Sequence, residues 1–354
     1  MNLGVVEQIA KAVLYEGYML YPYRPSSVKN QQRWNFGVLC PQSYSGAQNG
    51  SEAWTMQTEC LIEGSSMTAL EVRVRFLQLV FRTVAELAQP VKELSPAEMP
   101  ELHPVERLAV NGRLYQPWQE AVEREVVLPL YNVEALRYGL DPQDFQFPAE
   151  KQFDNLRNVD DKIIGVITRE RRALRGSVEI ASQRVGDGIF KISVRVLNTT
   201  PFEAATDSTR DDALLSSLAS THTVLGVQDG RFVSLIAPLE SLCELAANCK
   251  NIGTFPVLVG DQGQCDTLLS SPIILYDYPQ IAPESAGDLF DGTEIDEILS
   301  LRIMTLTDDE KREMSQSDER ARQMLERTET MPVEQLMKLH GVLRGLRPLK
   351  EDTQ

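Results

Sequence analysis

The stretch Thr58–Val84, TECLIEGSSMTALEVRVRFLQLVFRTV, decides the fold class of this chain. Apolar side chains at Val72, Val74 and Phe76 alternate with charged ones, which is the period of two of a half-buried antiparallel strand. Gly64-Ser65-Ser66 has turn chemistry and separates this strand from an apolar segment before it. The stretch therefore predicts a strand, a turn and a second strand.

Two further pairs of strand-like segments follow later in the chain. LRGSVEI (174–180) and FKISVRV (190–196) flank Gly186-Asp187-Gly188, which resembles a hairpin loop. THTVLGV (221–227) and RFVSLI (231–236) are joined by Gln228-Asp229-Gly230, which again has the composition of a tight turn. Short loops between such segments favour a mainly antiparallel sheet.

The chain of 354 residues predicts an α+β protein with two mainly antiparallel β domains and a helical C-terminal arm. Residues 1–160 form the predicted N-terminal α+β domain, and residues 161–286 form a second, sandwich-like β domain. Residues 287–354 form a charged helical arm with too few apolar residues for a core of its own. Within this arm, Thr307 and Glu310 have the spacing of a capping box.

Composition excludes several classes of protein. The chain has 35 Lys and Arg against 51 Asp and Glu, a net charge of −16, which argues against binding to a nucleic-acid backbone. No stretch reaches about 18 apolar residues, so no membrane insertion is expected. The first twenty residues lack the pattern of a secretory signal, and five irregularly spaced cysteines do not form a disulfide framework. These features indicate a cytoplasmic protein.

The motifs that carry common chemistries are missing. The sequence has no phosphate-binding G-x-x-x-x-G-K-[ST], no G-x-G-x-x-G after a strand, no H-E-x-x-H, no paired C-x-x-C and no G-x-S-x-G. No catalytic residue, cofactor site or metal site is therefore predicted. Among three histidines, His222 is the best catalytic candidate, although a hydrogen-bonded histidine inside a strand is the more frequent case.

One segment near the N-terminus combines aromatic and basic side chains. We call it the aromatic–basic segment, and its members are Tyr15, Tyr18, Tyr21, Tyr23, Arg24, Lys29, Arg33 and Trp34. Tyr, Trp and Arg are enriched at binding hot spots, because each buries a large area and keeps a polar group available. The segment is our predicted partner-binding surface. The alternative is that its rings cover the first sheet.

Three long strings carry a resemblance to a known family: LYEGYMLYPYRPSSVKNQQRWNFGVL (14–39), GTFPVLVGDQG (253–263) and SSPIILYDYPQIAPESAGDLFDGTEIDEILSLRIMTLTDDEKREM (270–314). The chain resembles an uncharacterised bacterial protein family encoded in nickel–iron hydrogenase gene clusters. The resemblance implies an accessory role in hydrogenase assembly or operation, with hydrogenase subunits or maturation proteins as partners. Proteins that handle the metals usually carry C-x-x-C pairs or histidine runs. This chain has neither, so a scaffold or chaperone role fits better than metal delivery.

We therefore expect a non-enzymatic accessory protein that acts by binding another protein. The first alternative is an enzyme, a hydrolase or ligase that uses Glu16, His222 or Cys265 in a cleft between the domains. The second alternative is a metal carrier.

Overall fold

A computed structural model describes residues 36–94, 101–138, 141–203, 205–280, 303–317 and 319–330, together with Ile9, Ala10 and Leu14. Most of these residues form antiparallel strands, with a few short helices. The predicted α+β class, dominated by antiparallel strands, is confirmed.

Most of the secondary-structure elements along the described chain are β-strands. The strands are β1 (Thr55–Val91), β2 (Leu102–Pro104), β3 (Leu108–Val110), β4 (Arg113–Tyr115), β5 (Trp118–Val127), β6 (Tyr131–Asn132), β7 (Asp141–Phe147), β8 (Glu150–Arg157), β9 (Ile163–Arg171), β10 (Leu174–Gly186), β11 (Ile189–Asn198), β12 (Ala219–Val233), β13 (Phe255–Leu258) and β14 (Thr267–Ser271). The α-helices are α1 (Gln42–Ala47), α2 (Arg210–Leu214), α3 (Cys243–Ala247), α4 (Asp308–Ser317) and α5 (Glu319–Thr330), and two 3₁₀ turns span Ala135–Tyr138 and Glu240–Leu242.

Strand β1 is the central element of the sheet. It runs for 37 residues and pairs on one side with β11, β6, β5 and β2 in turn. On its other side it pairs with β12 and then with β9. Every one of these pairings is antiparallel. Because of this length, β1 contributes side chains to five of the buried apolar clusters of the described residues.

The predicted turn at Gly64–Ser66 is wrong, because the chain continues in the same direction through it. Residues 65–68 bulge out of β1 opposite Asp229, so that Gly64 pairs with Gly230 and Ala69 with Gln228. The Thr68 hydroxyl fixes the bulge, since it accepts from the Ser65 N–H at 2.8 Å and donates to the Asp229 carbonyl at 2.6 Å. Turn-forming residues here make a bulge within a strand.

The same bulge explains why the predicted turn at Gln228–Gly230 is also wrong. Strand β12 is continuous from Ala219 to Val233, and Asp229 adopts a φ of 54° beside the β1 bulge. By contrast, the hairpin predicted at Gly186–Gly188 is confirmed, with β10 and β11 on its two sides and Gly188 at a φ of 66°. Its Gly188 carbonyl accepts from the Gly64 N–H at 2.8 Å.

The main apolar core lies on one face of this sheet, which curls around it. Phe76 of β1 contacts Phe145 and Phe147 of β7, with ring centroids 5.9 and 5.8 Å apart. Since β7 is the last strand on the β10 side of the sheet, these contacts show that the sheet bends back towards the middle of β1. The core is formed by apolar side chains from β1, β10, β11 and β12.

Strands from both predicted β domains pair in one sheet. β1, from the predicted first domain, pairs with β9, β11 and β12 from the predicted second. Beyond Phe81, β1 forms smaller apolar clusters with β9 and its neighbours, including Val84, Ile167 and Leu156. The division into two domains at residue 160 stays a prediction. Along much of β1, backbone hydrogen bonds join residues before position 160 to residues after it.

The C-terminal helices α4 and α5 pack on the sheet. Met314 and Leu325 lie in one buried cluster with Leu77 and Leu79 of β1 and with Leu14. The capping box is confirmed: Thr307 and Glu310 each accept from the other's backbone N–H, at 3.3 and 2.7 Å. The described part of the arm packs on the body of the protein, which is one of the two places, the body or a partner, that its lack of a separate core predicts.

Candidate functional site

The aromatic–basic segment lies outside the described residues. This holds for each of its members: Tyr15, Tyr18, Tyr21, Tyr23, Arg24, Lys29, Arg33 and Trp34. Glu16, one of the candidate catalytic residues, lies outside them as well. The described residues next to the segment are attached to the body. Leu14 is buried, and the carbonyls of Phe36 and Gly37 accept from the N–H groups of Ser220 and Thr221 at 3.2 and 2.9 Å.

His222 is a fully buried side chain of β12. Its Nδ1 lies 2.6 Å from the Ser220 carbonyl, which can only accept, so Nδ1 carries the proton and Nε2 has a free lone pair. Burial lowers the pKa of His222 to about 4; the hydrogen bond with the Ser220 carbonyl opposes this shift and the nearby Arg75 adds to it. The histidine is therefore neutral at pH 7 and is shielded from solvent.

The backbone beside His222 is strained. Ser220 has a φ of 51°, a conformation that non-glycine residues rarely adopt, and the pairing with β1 shifts register between Arg75 and Leu77. Within the described residues, His222 Nε2 and the hydroxyls of Ser220 and Thr223 have no hydrogen-bond partner. These groups are buried, so they offer no route for a substrate from solvent.

Cys265 lies at the other end of β12, in the wall of a cavity of about 310 Å³. Its carbonyl accepts from the Phe232 N–H at 2.7 Å, which places it ten positions along β12 from His222. At ~3.3 Å per residue the two sites are roughly 30 Å apart. The structure therefore does not bring the two described catalytic candidates together.

The cavity is lined mainly by apolar side chains. They come from the end of β12, from the segment that follows it and from β13: Phe232, Val233, Ala237, Pro238, Leu239, Leu242 and Leu258. The polar residues in its wall are Glu63, Arg231, Ser234, Cys265, Asp277 and Tyr278.

Asp277 and Ser234 join the two segments that form opposite walls. Asp277 accepts from the Leu258 N–H at 2.8 Å through one oxygen and from the Ser234 hydroxyl through the other. The Ser234 oxygen in turn accepts from the Ala237 N–H at 2.9 Å, which closes a turn after β12. Both oxygens of Asp277 and the hydroxyl of Ser234 therefore take part in hydrogen bonds inside the protein.

The remaining polar groups of the wall are also paired with one another. Tyr278 OH lies 3.6 Å from the Cys265 sulfur, and burial raises the pKa of Tyr278 to about 12. Tyr278 has a φ of 58°, which directs its ring across the cavity wall towards Cys265. Arg231 forms an ion pair with Glu63, and this carboxylate raises the pKa of the guanidinium.

Exposed apolar side chains lie on the two segments that wall the cavity. Leu239 is 62% exposed and Ile236 is 50% exposed on the segment after β12. On the other segment, Ile274 and Tyr276 are 73% and 81% exposed, while Leu275 between them is buried. Such a concentration of exposed apolar groups beside a concavity is typical of a binding surface. We call these four exposed residues the cavity rim; Leu239 lines the cavity itself, and Ile236, Ile274 and Tyr276 are near lining residues along the chain.

Sequence reasoning named Cys265 but missed the rest of this site. Ser234 and Asp277 are 43 positions apart and belong to segments that the periodicity predicts as strands. One signal was present, since Ser234 lies three residues before Ala237 and four before Pro238, a spacing typical of a turn closed by a hydroxyl. The positive φ of Tyr278 could not be predicted from the sequence, because tyrosine rarely adopts this conformation.

Several tests for other kinds of site give no candidate in the part of the chain that the structure describes. There, no group of three or more His, Cys, Asp or Glu side chains is placed to hold a metal ion. None of the described helices combines the length and the apolar character that a membrane span requires. The five cysteines, Cys40, Cys60, Cys243, Cys249 and Cys265, are free thiols.

The fold and site together define a mainly antiparallel β protein with one apolar-rimmed cavity described beside the end of β12. No protein-family model matches this chain, and no curated protein matches it.

Proposed function

We propose that this protein is a non-enzymatic accessory protein, scaffold-like or chaperone-like, that binds another protein in the cytoplasm. The observation that carries the proposal is the character of the cavity. Its polar side chains are engaged with one another, from Asp277 and Ser234 to Arg231 and Glu63, whereas the rim exposes apolar groups. A surface of this kind is suited to binding a protein partner.

The proposed partners are subunits or maturation proteins of a nickel–iron hydrogenase. This part of the proposal comes from the family that the strings at 14–39, 253–263 and 270–314 resemble. Two of those strings contribute described residues to the cavity lining. The string 253–263 contributes Leu258, and the string 270–314 contributes Asp277 and Tyr278. The aromatic–basic segment is the second proposed contact surface, and it belongs to the string 14–39.

Co-purification from a bacterium that produces a nickel–iron hydrogenase tests the proposal. We expect hydrogenase subunits or maturation proteins to copurify with the tagged chain. We expect Arg33→Glu combined with Trp34→Ala to reduce their recovery without changing the thermal unfolding midpoint. A folded double variant that retains the full complex would contradict the proposed role of the aromatic–basic segment, and a wild-type chain that recovers none of these proteins would contradict the proposed partners.

A hydrolase or ligase is the second candidate, because Cys265 lies in a cavity next to the Tyr278 hydroxyl. Turnover of an ester, amide or nucleotide substrate that is lost in Cys265→Ser would support it. The metal-carrier alternative is tested by elemental analysis of the purified protein, and a substoichiometric content of nickel, iron and zinc would remove it.

A further inference from the structure

We infer that the cavity beside the end of β12 is an anchor site for one large apolar side chain, leucine, methionine or phenylalanine, on a positively charged segment of the partner protein. The inference rests on the proposed function, because it names the chemistry that the partner presents to this surface. It concerns the residues that line the cavity, none of which is a member of the aromatic–basic segment.

The size and lining of the cavity select an apolar occupant. A volume of about 310 Å³ is at the low end of the range for small-molecule pockets, roughly 300–1,000 Å³, and matches one or two side chains rather than a cofactor. Leu258 and Phe232 come from strands and Leu242 from a 3₁₀ turn, so regular elements hold the apolar lining in place. Preformed apolar pockets of this kind receive the anchor residues of an interface.

The pairing of the polar wall groups argues against a polar metabolite. A polar ligand needs hydrogen-bond donors and acceptors in the cavity wall that point towards it. Where the wall lacks them, the polar groups of the bound ligand stay unpaired, which costs binding free energy. Here Asp277 already accepts two hydrogen bonds, Ser234 donates to it, and Tyr278 contacts Cys265. A polar ligand would have to break these internal contacts, whereas an apolar side chain would leave them intact.

The charge around the cavity selects a basic segment to carry that side chain. Two carboxylates, Glu63 and Asp277, line the cavity against one guanidinium, Arg231, which Glu63 neutralises. Glu240 follows Leu239 directly in the chain and is exposed, and the whole chain has a net charge of −16. Complementary charge steers association and excludes partners of the same sign.

The exposed rim favours a protein segment over a free apolar molecule. A free ligand of this size would be enclosed by the cavity itself and would leave Tyr276 and Ile274 in water. A peptide segment extends beyond its anchor residue, so that its neighbouring residues cover the rim. Apolar and aromatic groups that surround a pocket and exclude water are the usual arrangement at an interface hot spot.

Cysteine protection with synthetic peptides tests the inference. The probe is the acetylated and amidated hexapeptide Lys-Lys-Leu-Phe-Lys-Lys, and the readout is the rate at which iodoacetamide alkylates Cys265, measured by peptide mapping. Cys243, which is exposed and does not line the cavity, is the internal control. One control peptide has serine in place of the two apolar residues, and another has glutamate in place of the lysines.

We expect the basic apolar peptide to slow alkylation of Cys265 in a saturable way and to leave Cys243 unchanged. Neither control peptide should protect Cys265 at the same concentration. Leu239→Ser should weaken the protection about tenfold, whereas Leu130→Ser, at a leucine of similar exposure outside the cavity, should not. Both variants should keep the wild-type unfolding midpoint, because both side chains are largely in solvent.

The outcomes separate the inference from the proposed function. Equal protection by the serine peptide would overturn the apolar anchor, and equal protection by the glutamate peptide would overturn the basic segment. If hydrogenase proteins copurify with the chain but no peptide protects Cys265, the inference fails while the proposed function stands. If the peptide protects Cys265 and no hydrogenase protein copurifies, the hydrogenase proposal fails instead.

Discussion

Glu120 on β5 holds Arg82 on β1, with 2.9 Å between the carboxylate oxygen and the guanidinium Nη1. Its other oxygen accepts from Arg169 Nε of β9 at 2.7 Å. Arg82 and Arg169 are directly opposite each other in the β1–β9 pairing, so two like charges would face each other without this carboxylate. Glu120 therefore bridges the two arginines at the junction of three strands, and Asp154 of β8 gives Arg169 a second carboxylate partner.

We predict that Glu120→Gln lowers the free energy of unfolding by about 2 kcal/mol, because the largely buried Arg82 loses its charged partner. This figure is below that for a fully buried pair, since Arg169 is partly exposed to solvent. Urea unfolding at pH 7 measures it. The matched control is Glu170→Gln on β9, whose ion pair with Lys151 is half-exposed and contributes at most about 0.5 kcal/mol. Equal effects of the two substitutions would contradict the bridging role of Glu120.

Buried His222 makes stability depend on pH. Its pKa is about 4 in the folded protein and near 6.5 when unfolded, so only the unfolded chain takes up the proton between these values. The neutral His222 therefore contributes its full share to the free energy of unfolding above pH 6.5. This contribution decreases by about 3 kcal/mol in all as the pH falls towards 4.

The variant His222→Asn isolates this effect, because its amide can still donate to the Ser220 carbonyl but does not titrate. We expect the wild type to lose about 3 kcal/mol more than the variant between pH 7.5 and pH 4 in parallel urea titrations. Parallel pH curves for the two proteins would show that His222 is not buried in its neutral form.

The bulge in β1 requires glycine at position 230. An added Cβ would lie 2.9 Å from the Glu63 carbonyl oxygen and 2.9 Å from Thr68 Cγ2. We predict that Gly230→Ala destabilises the protein by about 2 kcal/mol, since a backbone atom cannot move aside. Thermal and urea unfolding measure the loss.

Gly46→Ala is the control for this substitution. Gly46 lies in α1 with nothing within 4 Å of an added Cβ, so the alanine should stabilise the protein by roughly 0.5–1 kcal/mol. If Gly230→Ala is as stable as Gly46→Ala, the bulge does not bring β1 and β12 as close as described.

The thiols should react in the order of their exposure and pKa. Cys243 is exposed and should react first with a thiol reagent at pH 8. Cys249 is half-buried, but burial raises its pKa to about 11, so only about one molecule in a thousand is a thiolate at that pH. Buried Cys60 should react only after unfolding, because burial raises its pKa strongly. Rapid labelling of Cys60 in the native protein would contradict its position in the core.

The sequence predicts strands more reliably than it predicts how they connect. Alternation at Val72, Val74 and Phe76 gives a half-buried strand correctly, because burial alone imposes that period. Turn residues at Gly64 and Gly230 give a wrong connection, since the same backbone freedom serves a hairpin or a bulge. Which one forms depends on Thr68 bonding to Asp229, 161 positions away.

The cavity also depends on contacts between separate segments, 43 and 19 positions apart in the chain. Ser234, Leu258 and Asp277 meet through hydrogen bonds between segments that follow different strands. These contacts cannot be predicted from the residue types alone. Cys265 was the one cavity residue that its side-chain chemistry made a candidate. The aromatic–basic segment stays a prediction from composition, and its members lie outside the described residues.

The most direct test of the central claim is calorimetric titration of the purified chain into purified subunits and maturation proteins of a nickel–iron hydrogenase. We predict a saturable complex with at least one of them, weakened by Leu239→Ser and unchanged by Cys265→Ser. No heat of binding to any of these proteins, together with turnover of a small metabolite that Cys265→Ser abolishes, would contradict a protein that works through its surface.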